Sequence, residues 1–385
     1  MKRSLSAALA AALLLSLSLI LTGCEKNTET VKIGALFAVT GPASFLGAPE
    51  ARTAEMMVEE LNKNGGVLGR QLELIIKDTG ASSDKAISFA KQLIEEDRVI
   101  AIIGPTTSGE TMKIKDLCQT YKTPLISAAA AETIVDPVAS YVFKTPQKDN
   151  YVAELIYQTM NDLGISKIGV VAANTGFGNG GKAQLEKYAP QYGIEILISE
   201  TYDSAATDLT ALLTKVNARG VEAVVNWSIV PAQSIIPKNM KQLGMDMPLF
   251  QSHGFGNIAY VKAAGEAAEG IIFPAGRLLV AEQLPDSNPQ KALLVEYKKA
   301  YEERYGEDVS TFGGHAYDAL MIAVKAIEKA KSTERDAVRD AIESLPDLPG
   351  TGGVFRFTPA DHNGLAMDSL EMLTVKNGRF TIYRP

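Results

Sequence analysis

The segment Gly176-Phe177-Gly178-Asn179-Gly180-Gly181 has the residue types and spacing for nucleotide chemistry. It fits G-x-G-x-x-G between a strand-like run and a helical one, with Glu195 at a distance suited to a ribose hydroxyl. Gly176 to Lys182 also overlaps most of a phosphate-binding loop, but Ala183 stands where a magnesium-binding Ser or Thr belongs. A glycine-rich turn after a strand has a second use, because it lets backbone approach whatever lies against it. Ser82-Ser83-Asp84-Lys85 contains S-x-x-K without the S-D-N and K-T-G partners of a penicillin-recognising enzyme, so Ser82 or Ser83 reads as a helix cap. No G-x-S-x-G elbow is present, and no nucleophile, base and oxyanion hole come together. The expectation is a protein that is not an enzyme.

A different chemistry is written in Gly104-Pro105-Thr106-Thr107-Ser108. Hydroxyls and free backbone N–H groups at a helix start seat a carboxylate through hydrogen bonds and the helix dipole. The three histidines, His253, His315 and His362, are widely separated and show no metal-ligand spacing with Cys118, so neither metal nor cofactor is expected. The formal net charge of -7, with signs intermixed, leaves no basic stripe for nucleic acid.

The N-terminus assigns a compartment. Met1-Lys2-Arg3 and the apolar run over residues 7–21 have the form of a secretory leader. NAD and ATP are scarce outside the cytoplasm, which counts against the nucleotide reading. Leu21-Thr22-Gly23-Cys24 resembles a bacterial lipobox, making Cys24 the lipidated N-terminus and the only membrane attachment. The leader is then 1–23 and a polar tether 24–30. Cys118, beside Ile114 and Leu117, is expected to be buried as a small hydrophobe.

The rest of the chain alternates strands and helices. Strand patterns fall at 31–37, 71–77, 99–103 and 124–126, with helices near 54–61, 84–95 and 108–121 between them. A helix over 151–163 restarts the series, with strands at 167–172, 194–198, 223–227, 248–251 and 271–273. The helix after the glycine-rich segment is expected to start near Gly180. Helices follow at 293–305, 316–329 and 334–344, and Asn377-Gly378 marks a terminal hairpin. This order demands two parallel, doubly wound sheets, whose ligands sit beyond the carboxyl ends of the strands.

In chain order, Ile33-Gly34, Thr40-Gly41-Pro42, Asn62 to Gly69 (NKNGGVLG), Ile103-Gly104-Pro105, Ser108, Pro124 to Ser127, Phe177-Gly178 and Tyr317-Asp318-Ala319 resemble the leucine/isoleucine/valine-binding proteins. These are type I periplasmic binding proteins that serve ABC importers, and the resemblance spans the mature chain. It implies an α/β fold of two Rossmann-like lobes joined by a three-strand hinge. Lobe one would be 31–145 and 276–352, and lobe two 146–275 and 353–385.

Residue by residue, the resemblance implies that Ser108 holds the ligand carboxylate and that the Ala129 carbonyl meets an amine. Phe177 would cover the ligand from the second lobe. Leu46, Thr107 and Phe312 match side-chain pocket positions, and Trp227, with Val230 nearby, lies in the segment supplying another aromatic. Two positions depart: Ala131 stands where amino-acid binders carry Thr, and His253 where they carry Glu. A buried ammonium without a carboxylate is costly. The expected ligand is therefore a small carboxylate without an α-amine, an aromatic or other organic acid. An amino acid, or a sensing role without transport, is the alternative. The expected protein is a monomer whose partners are the solute and ABC permease subunits, with no nucleic acid.

Overall fold

The computed structural model describes residues 30–384; the leader, Cys24 and most of the tether lie outside the described residues. The first sheet contains β1 (Val31–Phe37), β2 (Leu72–Asp78), β3 (Ala101–Ile103), β4 (Leu125–Ser127) and β5 (Val142–Lys144). Their order is β2-β1-β3-β4-β5, every pairing parallel. Between these strands run α1 (Ser44–Lys63), α2 (Ser83–Lys91) and α3 (Ser108–Thr120). Covered on both faces, β3 is a continuous apolar run, and β1 is apolar from Ile33 onward, with only Lys32 interrupting it.

The second sheet is built from α4 (Asp149–Asp162), β6 (Lys167–Ala173), α5 (Gly176–Tyr188), β7 (Glu195–Tyr202), α6 (Thr210–Asn217) and β8 (Ala223–Trp227). It continues through α7 (Ile235–Gln242), β9 (Leu249–Gln251), α8 (Ile258–Ala264) and β10 (Ile272–Gly276). The chain then returns to the first lobe as α9 (Lys291–Tyr305), α10 (Thr311–Ala330) and α11 (Arg335–Glu343). Leu278, Ala281 and Leu284 pack there with Met56 of α1 and with Leu294 and Tyr297 of α9. The short pair β11 (Leu348–Pro349) and β12 (Val354–Phe355) follows, and β13 (Leu370–Lys376) with β14 (Arg379–Ile382) closes the chain. That last hairpin adds two antiparallel strands to the edge of the second sheet, in the order β14-β13-β10-β9-β8-β6-β7. Asn377 and Gly378 both have positive φ, 53° and 69°, as a two-residue hairpin turn requires.

Among the boundaries that differ from the sequence expectation, two concern the division into lobes and the glycine-rich segment. Phe355, Phe357 and Leu365 join the core of the first lobe with Ile126, Phe143 and Leu320, and the second sheet is reached only at Leu370. The final crossing therefore comes after 365, not at 353; apolar side chains in an irregular segment carry no mark of which core takes them. The other difference is α5, which begins at Gly176 and takes in the whole glycine-rich segment. Thr175 caps it, its Oγ1 accepting from Gly178 N at 3.0 Å. The glycines answer to packing. A Cβ at Gly178 would lie 1.9 Å from Ala173 O, and one at Gly181 would lie 1.9 Å from Trp227 Cε2. The helix presses on β6 and β8 at a distance only hydrogen side chains allow.

Candidate functional site

The carboxyl ends of both sheets face a cleft between the lobes. On the first lobe, Gly104 turns the chain at φ +82°, where a Cβ would meet Leu36 O at 2.3 Å. Thr106 Oγ1 then accepts from Ala38 N at 2.9 Å and donates to the buried carboxyl of Glu50, which burial holds well above the usual carboxylate range. Thr107 is the cap of α3: its Oγ1 accepts from Glu110 N at 3.3 Å and donates to Glu110 Oε2 at 2.6 Å. Ser108 is therefore the first helical residue rather than the cap. It is buried, and its Oγ accepts from Ala131 N at 3.2 Å, leaving its own proton to donate.

The loop after β4 is held by its own chemistry. Ser127 Oγ shares a hydrogen bond with Thr111 Oγ1 at 2.8 Å and accepts from Ala129 N at 3.1 Å. Ala130 O accepts from Lys144 Nζ at 2.6 Å, and Gln147 O from the same ammonium at 3.2 Å. Lys144 is completely buried, which lowers its pKa, and Asp149 opposes that shift.

From the second lobe come Phe177, in the first turn of α5, and His253, just after β9. Their rings meet edge to face with centroids 5.3 Å apart. The cavity between the lobes is lined by Leu46, Ser108 and Ala129 of the first lobe and Phe177 and His253 of the second, with Phe312 from α10. An outer chamber of about 210 Å³ shares Ser108, Phe177 and Ile229 with it and adds Thr107, Glu110 and Val230.

Six of the nine residues expected around a ligand thus line one cavity. Thr107 faces the outer chamber. Ala131 and Trp227 line neither. Trp227, fully buried at the end of β8, backs Phe177 and His253 with ring centroids 5.8 Å from each. It supports the wall, and Gly181 opens room for the indole.

Sequence reasoning passed over Ala130, Pro146, Ile229 and His315, all of which line the inner cavity. His315 arrives on α10 from more than sixty residues beyond His253, so the two histidines set aside as separated meet in space. Burial lowers the His253 pKa well below the usual imidazole value, with Lys144 and His315 adding to the shift, and takes His315 down to about 3. Both rings are neutral at physiological pH. Behind His253 lies Asp149, also overlooked: its Oδ1 is 3.7 Å from His253 Nε2, and burial pushes its pKa up to about 8 against the pull of Lys144. No group of three or more His, Cys, Asp or Glu among the described residues could hold a metal ion. Cys118 is buried, its thiol pushed up to about 12.

The lobes touch around the cleft. Asn257 Nδ2 donates to Phe45 O at 2.7 Å, and Thr311 N to Gly256 O at 3.0 Å. A Cβ at Gly176 would lie 2.9 Å from Gly109 N across the gap.

Two α/β lobes thus close on one small cavity that side chains of both of them line. A family model described as Periplasmic binding protein matches residues 30–379. The chain belongs to the Leu/Ile/Val-binding family of type I periplasmic binding proteins, a family of binders rather than enzymes. It is 28% identical over 360 residues to the leucine-, isoleucine-, valine-, threonine- and alanine-binding protein of Pseudomonas aeruginosa, covering 92% of this chain and 90% of that one. An extracellular ligand-binding receptor from Rhodopseudomonas palustris superposes with a TM-score of 0.87 at 26% identity, covering 92% of this chain and 100% of that one. The branched-chain amino acid transporter substrate-binding protein LivJ of Streptococcus pneumoniae, in complex with isoleucine, superposes with a TM-score of 0.81 at 26% identity, covering 93% and 100%. No helix among the described residues is long and apolar enough to cross a membrane.

Proposed function

We propose that this chain is the extracytoplasmic solute-binding lipoprotein of a branched-chain-amino-acid-type ABC importer, anchored through Cys24, and that its ligand is a small apolar α-amino acid. The observation that carries this is the placing of Ser108. Its hydroxyl stands at the start of α3 in a cavity whose apolar walls are Leu46, Phe177, Ile229 and Phe312, with His253 and His315 beside them. One anchor for a carboxylate in an apolar enclosure suits a ligand with one acid and a hydrocarbon side chain. In this reading the Ala129 carbonyl takes an ammonium proton, Phe177 closes over the ligand, and Leu46 and Phe312 select its side chain. The amino-acid binding named for the Pseudomonas relative and the isoleucine held by the Streptococcus protein support it. This turns the order of the sequence expectation around, since the organic acid came first there.

That acid remains a second reading, because Ala131 offers no hydroxyl and a neutral His253 cannot neutralise an ammonium. A thermal-shift screen of the mature protein against leucine, valine, phenylacetate and 4-methylpentanoate separates the two. A ligand at about 100 times its Kd adds roughly 2.7 kcal/mol to the folded state. Stabilisation by the two amine-free acids alone would overturn the amino-acid reading.

A further inference from the structure

Asp149 is a buried acid with no task in the cleft as described so far. It opens α4, is wholly inaccessible to solvent, and neither of its oxygens meets a donor in good hydrogen-bonding geometry, although the Glu132 amide lies close by. His253 Nε2 is 3.7 Å from Oδ1, just beyond hydrogen-bonding reach. Both nitrogens of His253 are also without a partner, and His253, unlike Asp149, lines the cavity. Buried polar groups are nearly always paired. Two adjacent unpaired ones, the outer facing the cavity, point to a partner that arrives with the ligand.

A neutral imidazole has one donor nitrogen and one acceptor, and the partner of one fixes the role of the other. An ionised carboxylate can only accept. Beside it, Nε2 must carry the proton, so Nδ1 is left with a lone pair. A protonated carboxyl would instead donate to Nε2 and leave an N–H at Nδ1, which repels an ammonium.

We propose that Asp149 is a positioning residue for the ligand amine: it takes the Nε2–H of His253, so that Nδ1 accepts from the ammonium, and its carboxylate balances the ammonium charge at one remove. The inference rests on the amino-acid reading above. It gives the cleft an amine-recognising half even though a histidine occupies the position of the family's glutamate.

The charged groups around the pair come from three elements. Lys144 at the end of β5 favours ionised Asp149, Glu132 in the turn after β4 opposes it, and His315 on α10 disfavours charge on His253. An entering ammonium favours the ionised acid. With the acid's pKa pushed up by burial, leucine binding at pH 7 releases a proton, and affinity rises as pH climbs from about 6 to 8.

The test is calorimetry of the wild type and of Asp149→Asn with leucine and with 4-methylpentanoate, which is leucine without its amine. Titrations run from pH 6 to 8.5 in buffers of different ionisation enthalpy. In ¹⁵N-histidine-labelled protein, NMR reads the tautomer of His253 with leucine bound. The wild type should bind leucine more tightly at higher pH, release a proton and hold His253 as the Nε2–H tautomer. Asp149→Asn should lose at least tenfold for leucine, flatten its pH profile, and bind 4-methylpentanoate no worse. Equal losses for both ligands with the pH slope retained would mean a structural role and overturn the proposal, as would an Nδ1–H tautomer in the leucine complex. Should Asp149→Asn fail to fold, the wild-type proton release and tautomer still decide. Failure of the wild type to bind any apolar amino acid sinks the amino-acid reading and this inference together. Leucine binding that ignores Asp149→Asn sinks the inference alone.

Discussion

Ser108 ties the two halves of the first-lobe site together. Its Oγ accepts from Ala131 N, so the hydroxyl both fixes the loop after β4 and keeps a proton for the ligand. Ser108→Ala should cost a carboxylate ligand about 1.5–3 kcal/mol, roughly ten- to a hundred-fold in Kd by calorimetry. It should also leave the Ala131 amide buried and unpaired, lowering stability in urea by about 1–3 kcal/mol. Unchanged affinity for leucine and for 4-methylpentanoate alike would remove Ser108 from the site. At this scale the sequence was most legible where short motifs keep a fixed relation to a strand end, as at Ser108 and Phe177. Asp149 and His315 gave no such signal. An acid at the start of a helix and a histidine within one have ordinary local explanations, and their shared environment exists only once α4 and α10 are packed around the cleft.

The elements meet at glycines. In α5 the segment that resembled a nucleotide loop is helix from Gly176 onward, and two of its glycines answer a neighbour in their own lobe: Ala173 O against Gly178, and the Trp227 indole against Gly181. Gly181→Ala would drive a methyl into that ring. It should destabilise the protein by about 1–3 kcal/mol in urea melts, and a variant as stable as the wild type would contradict this packing. Gly176 works across the cleft instead, where a side chain would run into the Gly109 backbone on the other lobe. Gly176→Val should fold normally and yet fail to close. In small-angle scattering, saturating leucine should shrink the radius of gyration of the wild type and leave that of the variant nearly unchanged. Equal contraction of both would show that this contact does not limit closure.

The whole molecule is a clamp whose ends are treated differently. Its C-terminal hairpin is built into the second sheet, whereas Cys24 lies outside the described residues and its role rests on sequence alone. Expressed in a bacterial host, the protein should take up a fatty-acid probe, and Cys24→Ala should abolish the labelling. Persistent labelling of the variant would show that the anchor lies elsewhere. Alternating strand and helix patterns made the two-lobed α/β architecture readable without coordinates, because period and order are local properties that parallel sheets enforce along the chain. Local pattern could not assign Phe355, Phe357 and Leu365 to the first lobe, since an apolar residue in an irregular stretch satisfies any core. Nor could it show that His253, Asp149, Lys144 and His315 share one dry corner of the cleft. Their pairing and protonation depend on burial and mutual distance, and those arise only when segments more than a hundred residues apart are brought into contact.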